Sequence, residues 1–500
     1  MLRKQDSKQS EIEMVILEDL VPENHLLRKI SKHIDFNFVR EKLSPFYCDD
    51  NGRPPVDPVV LFKIYFLGFL YGIRSERQLM REIEVNLAYR WFLGYKINEP
   101  IPHHSTLSYN RLHRFQDSDV FRELFDEIVF LAIRKKLVTG EVLYTDSTHL
   151  KANANKKKFE KKDVEGTAKH YLDELEEDVN KDRLRHGKKE LKDKAKEPEV
   201  KEVRVSTTDP ESGYMCRDFK EEGFAYLDHR TVDGKHNIIT DVHVTPGNVH
   251  DSIPYIERLD HQIDRFGFDV QAVGLDAGYN TVAVCHGLKM RNIYGVLAYK
   301  APSSDKNHIR KKLFEYDSEQ DVYICPEGFR LKYQNTGRDG YQQFVSEPEI
   351  CSKCPRLEEC TKDRNHRKLI ARHVWEEDKA EMDKNRLTKE GMEIYKRRKE
   401  TVERSFADAK QLHGYRYARY RGIMSVTFQC LMTAICQNIK KIANLLDKNL
   451  KVRPEAIASV LSANSSALIL SLYTLINVFL TDSTVISDIF SVKNRCLKNC

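Results

Sequence analysis

The chain has 500 residues, 32% of them charged and 40% hydrophobic, with a formal net charge of +6. That balance excludes a fibre or a disordered chain and allows two or three domains with substantial cores. The small positive surplus hints at a polyanionic partner, although where the charge sits matters more than its sum. The opening MLRKQDSKQSEIEM is polar and does not read as a signal peptide, so the expected compartment is the cytoplasm, nucleoid-associated if the polyanion is DNA. There the eleven cysteines would be thiols or metal ligands rather than disulfides.

Residues 1–120 read as a helical domain. In VDPVVLFKIYFLGFLYG, Asp57 is an N-cap and Pro58 takes the first helical position. Ser75 and Gln78 have capping-box spacing. HHSTLSYNRLHRF predicts a short basic helix beginning near Ser105, with Arg111, His113 and Arg114 on it. Such a helix suits DNA contact, and it suits an ordinary bundle almost as well.

Strands come next. EVLYTDSTHL, FAYLDHRTVDG and NIITDVHVTPGN are short, β-branched or aromatic, and bounded by turn formers. DSIPYIERLDHQIDRFG reads as a helix, QAVGLDAGYN as a strand ending in an acid, TVAVCHGLKMRN as a helix and IYGVLAYK as a strand. Together they imply a mixed sheet with helices on its faces. Residues 151–205 form a highly charged insertion with one weak amphipathic helix marked by Leu172, Leu175 and Val179. Its later half reads as solvated chain, while Lys151 and Lys156 to Lys158 could reach a nucleic-acid backbone. No internal repeat is visible.

Cys325, Cys351, Cys354 and Cys360 form C-x25-C-x2-C-x5-C. Four thiolates with a CxxC knuckle suit structural Zn²⁺, in an insert expected to lack a core of its own. An iron–sulfur cluster or unligated thiols are the alternatives, and His366 is a substitute ligand. Cys48, Cys216, Cys285, Cys430 and Cys436 read as isolated buried thiols. Residues 456–481 carry no charge and are strongly apolar. Scattered Ser and Asn favour a packed terminal helix over a membrane span.

Asp146 and Asp276 each sit where a strand is expected to end, the place where sites form in open sheets. Converging carboxylates repel unless a cation lies between them, and hard divalent ions prefer such oxygens. Glu403 and Lys410 lie seven apart on a predicted helix, so both fall near one face, and Phe406 would pack that helix on the sheet. Beyond them Tyr415, Arg416, Tyr417, Arg419, Tyr420 and Arg421 alternate rings with guanidinium groups, which suits backbone contact and base stacking. Taken singly, each acid is as readily a turn former or part of a solvated helix face. The ordered set is what points to chemistry.

That order resembles the DDE transposases. ERSFADAK is similar to the E-x6-K part of the signature of the insertion-sequence 4 and 5 group, and YTDST, TPGNVHDS and GLDAGYN to its strand-end motifs. With the cysteine insertion, the nearest group is the insertion-sequence 1182 type, over residues 15–445. The resemblance implies an α/β fold: a ribonuclease-H-like mixed sheet with an N-terminal helical domain and a small cysteine-rich insertion. The implied divisions are 1–120, 138–300 with its insertion 151–205, 301–372 for the zinc-ribbon-like part, 373–445 for the helices carrying Glu403, and 446–500 for the terminal helix and tail.

The resemblance makes Asp146, Asp276 and Glu403 the ligands of Mg²⁺ or Mn²⁺, and Lys410 a contact to DNA near the element's end. Lys399, Arg416, Arg419 and Arg421 are the further expected DNA contacts. The full pattern Y-x2-R-x3-E-x6-K would want tyrosine and arginine at 396 and 399, where Lys396 and Lys399 stand. Tyr395 and Arg398 keep the mutual spacing one residue early, a shift of about 100° on a helix. The implied activity is metal-dependent cleavage at the ends of an insertion sequence and attack of the 3′-OH on target DNA. The implied partners are double-stranded DNA (terminal inverted repeats and target) and a second copy of the chain, with no membrane. A structure-specific nuclease and a DNA-binding regulator without catalysis are the alternatives.

Overall fold

The computed structural model describes residues 14–48, 55–116, 118–165, 171–192, 200–216, 222–299 and 309–461. The chain divides into a larger unit built on Asp35–Ile439 and a smaller one containing Asn24–Ile34 and the chain from Lys440 onward. In the smaller unit, His25 caps the Leu26–His33 helix by accepting from the Leu27 amide, and Lys29 pairs with Asp447 at 3.4 Å.

The larger unit begins with helices whose ends follow their capping residues. Asp57 accepts from the amides of Val59 and Val60, and Pro58 opens the Pro58–Leu70 helix. Such a cap is worth about 1 kcal/mol. Lys63, on that same helix, lies over the rings of Phe36 and Phe92 and donates to the Phe92 carbonyl, so its charge is used inside the bundle. Ser75 caps the Glu76–Val85 helix, but Gln78 reaches Glu82 rather than closing the capping box. The basic helix is shorter than expected: Ser105–Tyr109 runs into a π-helical turn at Asn110–Arg114. Arg111 turns inward to Glu76 at 3.3 Å and lies 3.8 Å from the Tyr420 ring, and Arg114 covers Tyr47. Those two guanidinium groups therefore join elements of the protein.

The main sheet contains β1 (Val142–Lys151), β2 (Phe159–Glu165), β3 (Val200–Ser206), β4 (Gly213–Met215), β5 (Gly223–Asp233), β6 (Ile239–Pro246), β7 (Ala272–Leu275) and β8 (Tyr294–Leu297). Its centre runs β6-β5-β1-β7-β8: β5 is antiparallel to both its neighbours, β6 and β1, and β7 and β8 run parallel to β1. The expected series of three strands, helix, strand, helix and strand is present, with helices Tyr255–Phe266 and Val282–Met290 as the crossovers. Gly267, at φ 66°, stops the first of these in the left-handed conformation that glycine tolerates best.

Two expectations need correction here. The charged insertion is no detached loop: β2 and β3 pair with each other and reach β5 through β4. Its Leu172–Arg185 helix buries Leu175 and Val179 against Trp375. Nor does the cysteine segment lack a core. Strands β9 (Glu315–Asp317), β10 (Val322–Ile324), β11 (Arg330–Thr336), β12 (Tyr341–Val345) and β13 (Leu369–His373) form an antiparallel sheet in the order β13-β12-β11-β10-β9. Ile309, Phe314, Tyr323, Leu331, Phe344 and Ile370 bury themselves together beneath it.

Among the described residues, no helix is long and apolar enough to cross a membrane. Most of the uncharged stretch 456–481 lies outside the described residues, as do Cys496 and Cys500.

Candidate active site

β1 does not end at Asp146. It continues to Lys151, and Asp146 lies opposite Arg230 of β5. What ends there is the parallel ladder with β7, whose last pair is Thr145 and Leu275. Asp146 and Asp276 are therefore the next residue on each of two neighbouring parallel strands. Arg398 meets both, with Nη2 3.1 Å from Asp146 Oδ2 and Nη1 3.5 Å from Asp276 Oδ1. Arg398 stands in the turn between the Lys389–Arg397 and Val402–Leu412 helices, beside the Tyr395 hydroxyl at 3.5 Å.

A further acid belongs to this neighbourhood. Asp251 accepts from Ser147 Oγ at 2.7 Å, and its charge reaches Asp146. Its motif, TPGNVHDS, was visible in the sequence, but nothing there marked the aspartate itself. Burial pushes the Asp146 carboxyl up to about 6, Arg398 and the Ser147 amide oppose the rise, and Asp276 and Asp251 add to it. The side chain is 21% exposed.

The raised value has a sign that can be tested. The folded protein keeps the Asp146 proton to about 6, whereas an unperturbed carboxyl releases it at 3.8. Stability should therefore fall as pH rises through that window, by about 3 kcal/mol in all. Asp146→Asn should lack this fall; thermal unfolding of both proteins at pH 4 and pH 7 measures it, and parallel behaviour would contradict it.

The Val402–Leu412 helix covers the sheet face that bears Asp146. Phe406 packs inward and lies under the guanidinium of Arg230, while Ser405 accepts from that guanidinium at 2.9 Å. Fully buried Arg230 also donates to Asp228 and Gln437, and Tyr415 donates to Asp228. Glu403 lies on the exposed side of the first turn, its amide donating to the Arg398 carbonyl at 3.2 Å. Seven residues along, Lys410 donates to Thr148 Oγ1 at 2.8 Å, and Thr148 shares a face of β1 with Asp146. The geometry thus unites Asp146, Asp276 and Arg398, and sets Lys410, from its helix, over Thr148 two residues further along β1. Lys399, expected as a DNA contact, is exposed beside buried Arg398.

The alternating ring and guanidinium segment splits by environment. Tyr415 is buried in the Arg230 network. Arg419 donates to the carbonyls of Ile73 and His413 and lies over Phe69, so its groups serve the fold. Arg416, Tyr417 and Arg421 are exposed. Arg416 lines an open hollow of about 330 Å³ with Lys151, Thr148 and Lys410. Arg421 and Tyr417 line a second, of about 590 Å³, with Arg74, Asn153 and Arg419.

Cys325, Cys351, Cys354 and Cys360 all line one cavity of about 30 Å³, and the Phe329 amide points at Cys325 Sγ from 3.3 Å. Burial pushes the Cys360 thiol up, Lys368 opposes it, and the other three cysteines add to it. His366 is exposed and is not part of that lining. Cys285, Cys430 and Cys436 are buried as expected, whereas Cys48 and Cys216 are exposed, a correction. Among the described residues, no three His, Cys, Asp or Glu side chains converge, as they stand, into a group that could hold a metal ion.

Residues 15–113 match the family described as "Transposase domain (DUF772)", and residues 324–443 match "Transposase DDE domain". The two matches support a DDE transposase family. The second spans Glu403, Lys410 and the four cysteines, while Asp146 and Asp276 fall between the matched segments. No curated protein matches the chain. Among solved structures, "Mos1 transposase paired-end complex with left transposon end" is 14% identical, covering 50% of this chain and 61% of that one at a TM-score of 0.15. "Crystal structure of the Mos1 mariner paired end complex with Mn" is 14% identical, covering 52% and 64%, also at 0.15. The chain spans less than two thirds of either, and a TM-score of 0.15 is too low to establish a shared fold.

Proposed function

We propose that the chain is a transposase that cleaves the ends of an insertion sequence and joins the freed 3′-OH to target DNA, on a ribonuclease-H-like core of the insertion-sequence 4 and 5 group, nearest the 1182 type. The observation that carries this is the acid pair: Asp146 and Asp276 at the end of one parallel ladder, gripping a single cationic group. The strand order β6-β5-β1-β7-β8 and the two transposase matches support it.

Hard oxygen donors, one of them half-buried and raised mainly by that burial with its acidic neighbours adding to it, fit Mg²⁺ or Mn²⁺. When bound, a metal pair of this kind activates an attacking oxygen and stabilises the leaving one. Asp146 and Asp276 would hold the ions, with Glu403 completing the set after its side chain turns inward from the first helical turn. Lys410, on the Asp146 side of the sheet, would fix a DNA phosphate. Two chains acting on paired ends, in the cytoplasm at the nucleoid, is the assembly we infer.

The test is a plasmid carrying both ends of the element, a target plasmid and Mg²⁺. End cleavage followed by covalent joining to the target supports the reading. Cleavage without joining favours a nuclease, and binding without cleavage favours a regulator.

We further propose that the basic hollows track the DNA backbone. Arg416→Ala and Arg421→Ala should each weaken binding and flatten its salt dependence by about one counterion. Titrations at several salt concentrations measure this; an unchanged slope in both would remove these residues from the interface.

The four cysteines are proposed as a structural Zn²⁺ site, supported by their common cavity. Metal binding by thiols releases their protons and couples to folding of the segment that carries them. Purified protein should release one zinc per chain to a thiol reagent, and Cys351→Ser should bind less and melt lower. Absence of zinc, or visible absorption from iron, would contradict this.

A further inference from the structure

Arg398 is built into the acid pair more thoroughly than a passing surface ion pair. Its side chain is 4% exposed, and its Nε is buried without a hydrogen-bond partner. Its stem runs past Gly274 of β7, where a Cβ would lie 3.5 Å from Arg398 Cγ and 2.7 Å from the Tyr144 ring. A Cβ at 274 would therefore collide with Tyr144 and would touch the arginine's stem at ordinary contact distance. Both Nη atoms face the carboxylates that the proposed function gives to a metal.

A guanidinium and a divalent cation cannot share that position. Each would face the same two carboxylates, the guanidinium offsetting one charge and a divalent ion both, and two cations at such a distance repel strongly in a partly buried setting. We propose that Arg398 is the resident counter-ion of the Asp146–Asp276 pair, occupying the cation position in the metal-free protein and giving it up when a divalent metal enters. This rests on the metal-binding reading of the two acids and adds a competitor to it. The arginine keeps the carboxylates close and offsets part of their charge without metal, and weakens the metal's affinity in doing so. It is a positioning residue for metal loading.

The test is Mn²⁺ titration of the full chain, followed by the loss of the free-ion electron paramagnetic resonance signal. Arg398→Gln removes the charge and should bind Mn²⁺ at least about tenfold more tightly than the wild type. Arg398→Lys keeps the charge and should stay near the wild-type affinity. Asp276→Asn should lose the binding in every background.

A folded Arg398→Gln protein with wild-type or weaker affinity overturns the inference. Should that variant unfold without metal, Mn²⁺ must restore its circular dichroism; failure to do so also overturns it. Binding that depends on Asp276 but ignores Arg398 defeats this inference alone. No Mn²⁺ binding by any protein, the wild type included, defeats the metal-binding reading along with it.

Discussion

Asp146→Asn and Asp276→Asn should each reduce cleavage of element-end DNA by more than about a hundredfold, since even the outer partners of a metal are typically worth ~10–100-fold. DNA binding should remain, because the exposed arginines and lysines lie elsewhere on the surface. The loss follows from the ladder geometry: each carboxylate is the next residue beyond the last parallel pair of β1 and β7. Asp251 is the instructive comparison. It holds Ser147 and acts on Asp146 through charge, so Asp251→Asn should leave residual cleavage. Cleavage surviving in either Asp146→Asn or Asp276→Asn would remove that acid from the reaction.

Arg230→Ala should be the most destabilising single change in the core, costing about 3–5 kcal/mol. The guanidinium is fully buried and ties Asp228 of β5 to Ser405 and Gln437, so it joins the central sheet to two later helices. Its loss leaves the Asp228 carboxylate with Tyr415 but without a counter-charge. Because the penalty is that of a stranded charge, Asp228→Asn combined with Arg230→Met should cost much less than Arg230→Ala alone. Urea unfolding of the wild type, Arg230→Ala and the double variant separates the cases; a double variant destabilised as much as Arg230→Ala would show that a stranded charge is not the cause. Cleavage should fall with Arg230→Ala too, since Ser405 sits two residues from Glu403.

Much of this site is legible in the sequence, and the parts that are not have physical reasons. The Val142–Tyr144 apolar run followed by an acid, and its echo at Val273–Asp276, are local signals. The parallel register that makes those acids neighbours is a long-range property, carried by no single segment. Helical counting puts Arg398 about 100° from the position the pattern wants, because it assumes one continuous helix. The chain instead turns between Arg397 and Val402, and that turn absorbs the extra residue and lets Arg398 reach the acids. Lys399, favoured by position in the pattern, is left outside.

Side-chain destinations were harder still. The alternation from Tyr415 to Arg421 looked like one surface, yet a carbonyl or a ring within the protein satisfies a guanidinium as readily as a phosphate does. Arg419 found Ile73 and Phe69, and Arg111 found Glu76 and Tyr420. The second sheet shows the opposite case. Leu331 and Phe344 bury themselves in a core of their own, where the cysteine spacing alone predicts a loop-rich metal-held insert.

The most direct measurement is the anomalous scattering of Mn²⁺ in crystals of the protein. The account predicts a manganese peak coordinated by carboxylate oxygens of both Asp146 and Asp276, with Glu403 in the same cluster and Arg398 moved off the pair. Manganese bound elsewhere, with Arg398 still bridging the two aspartates, would contradict it.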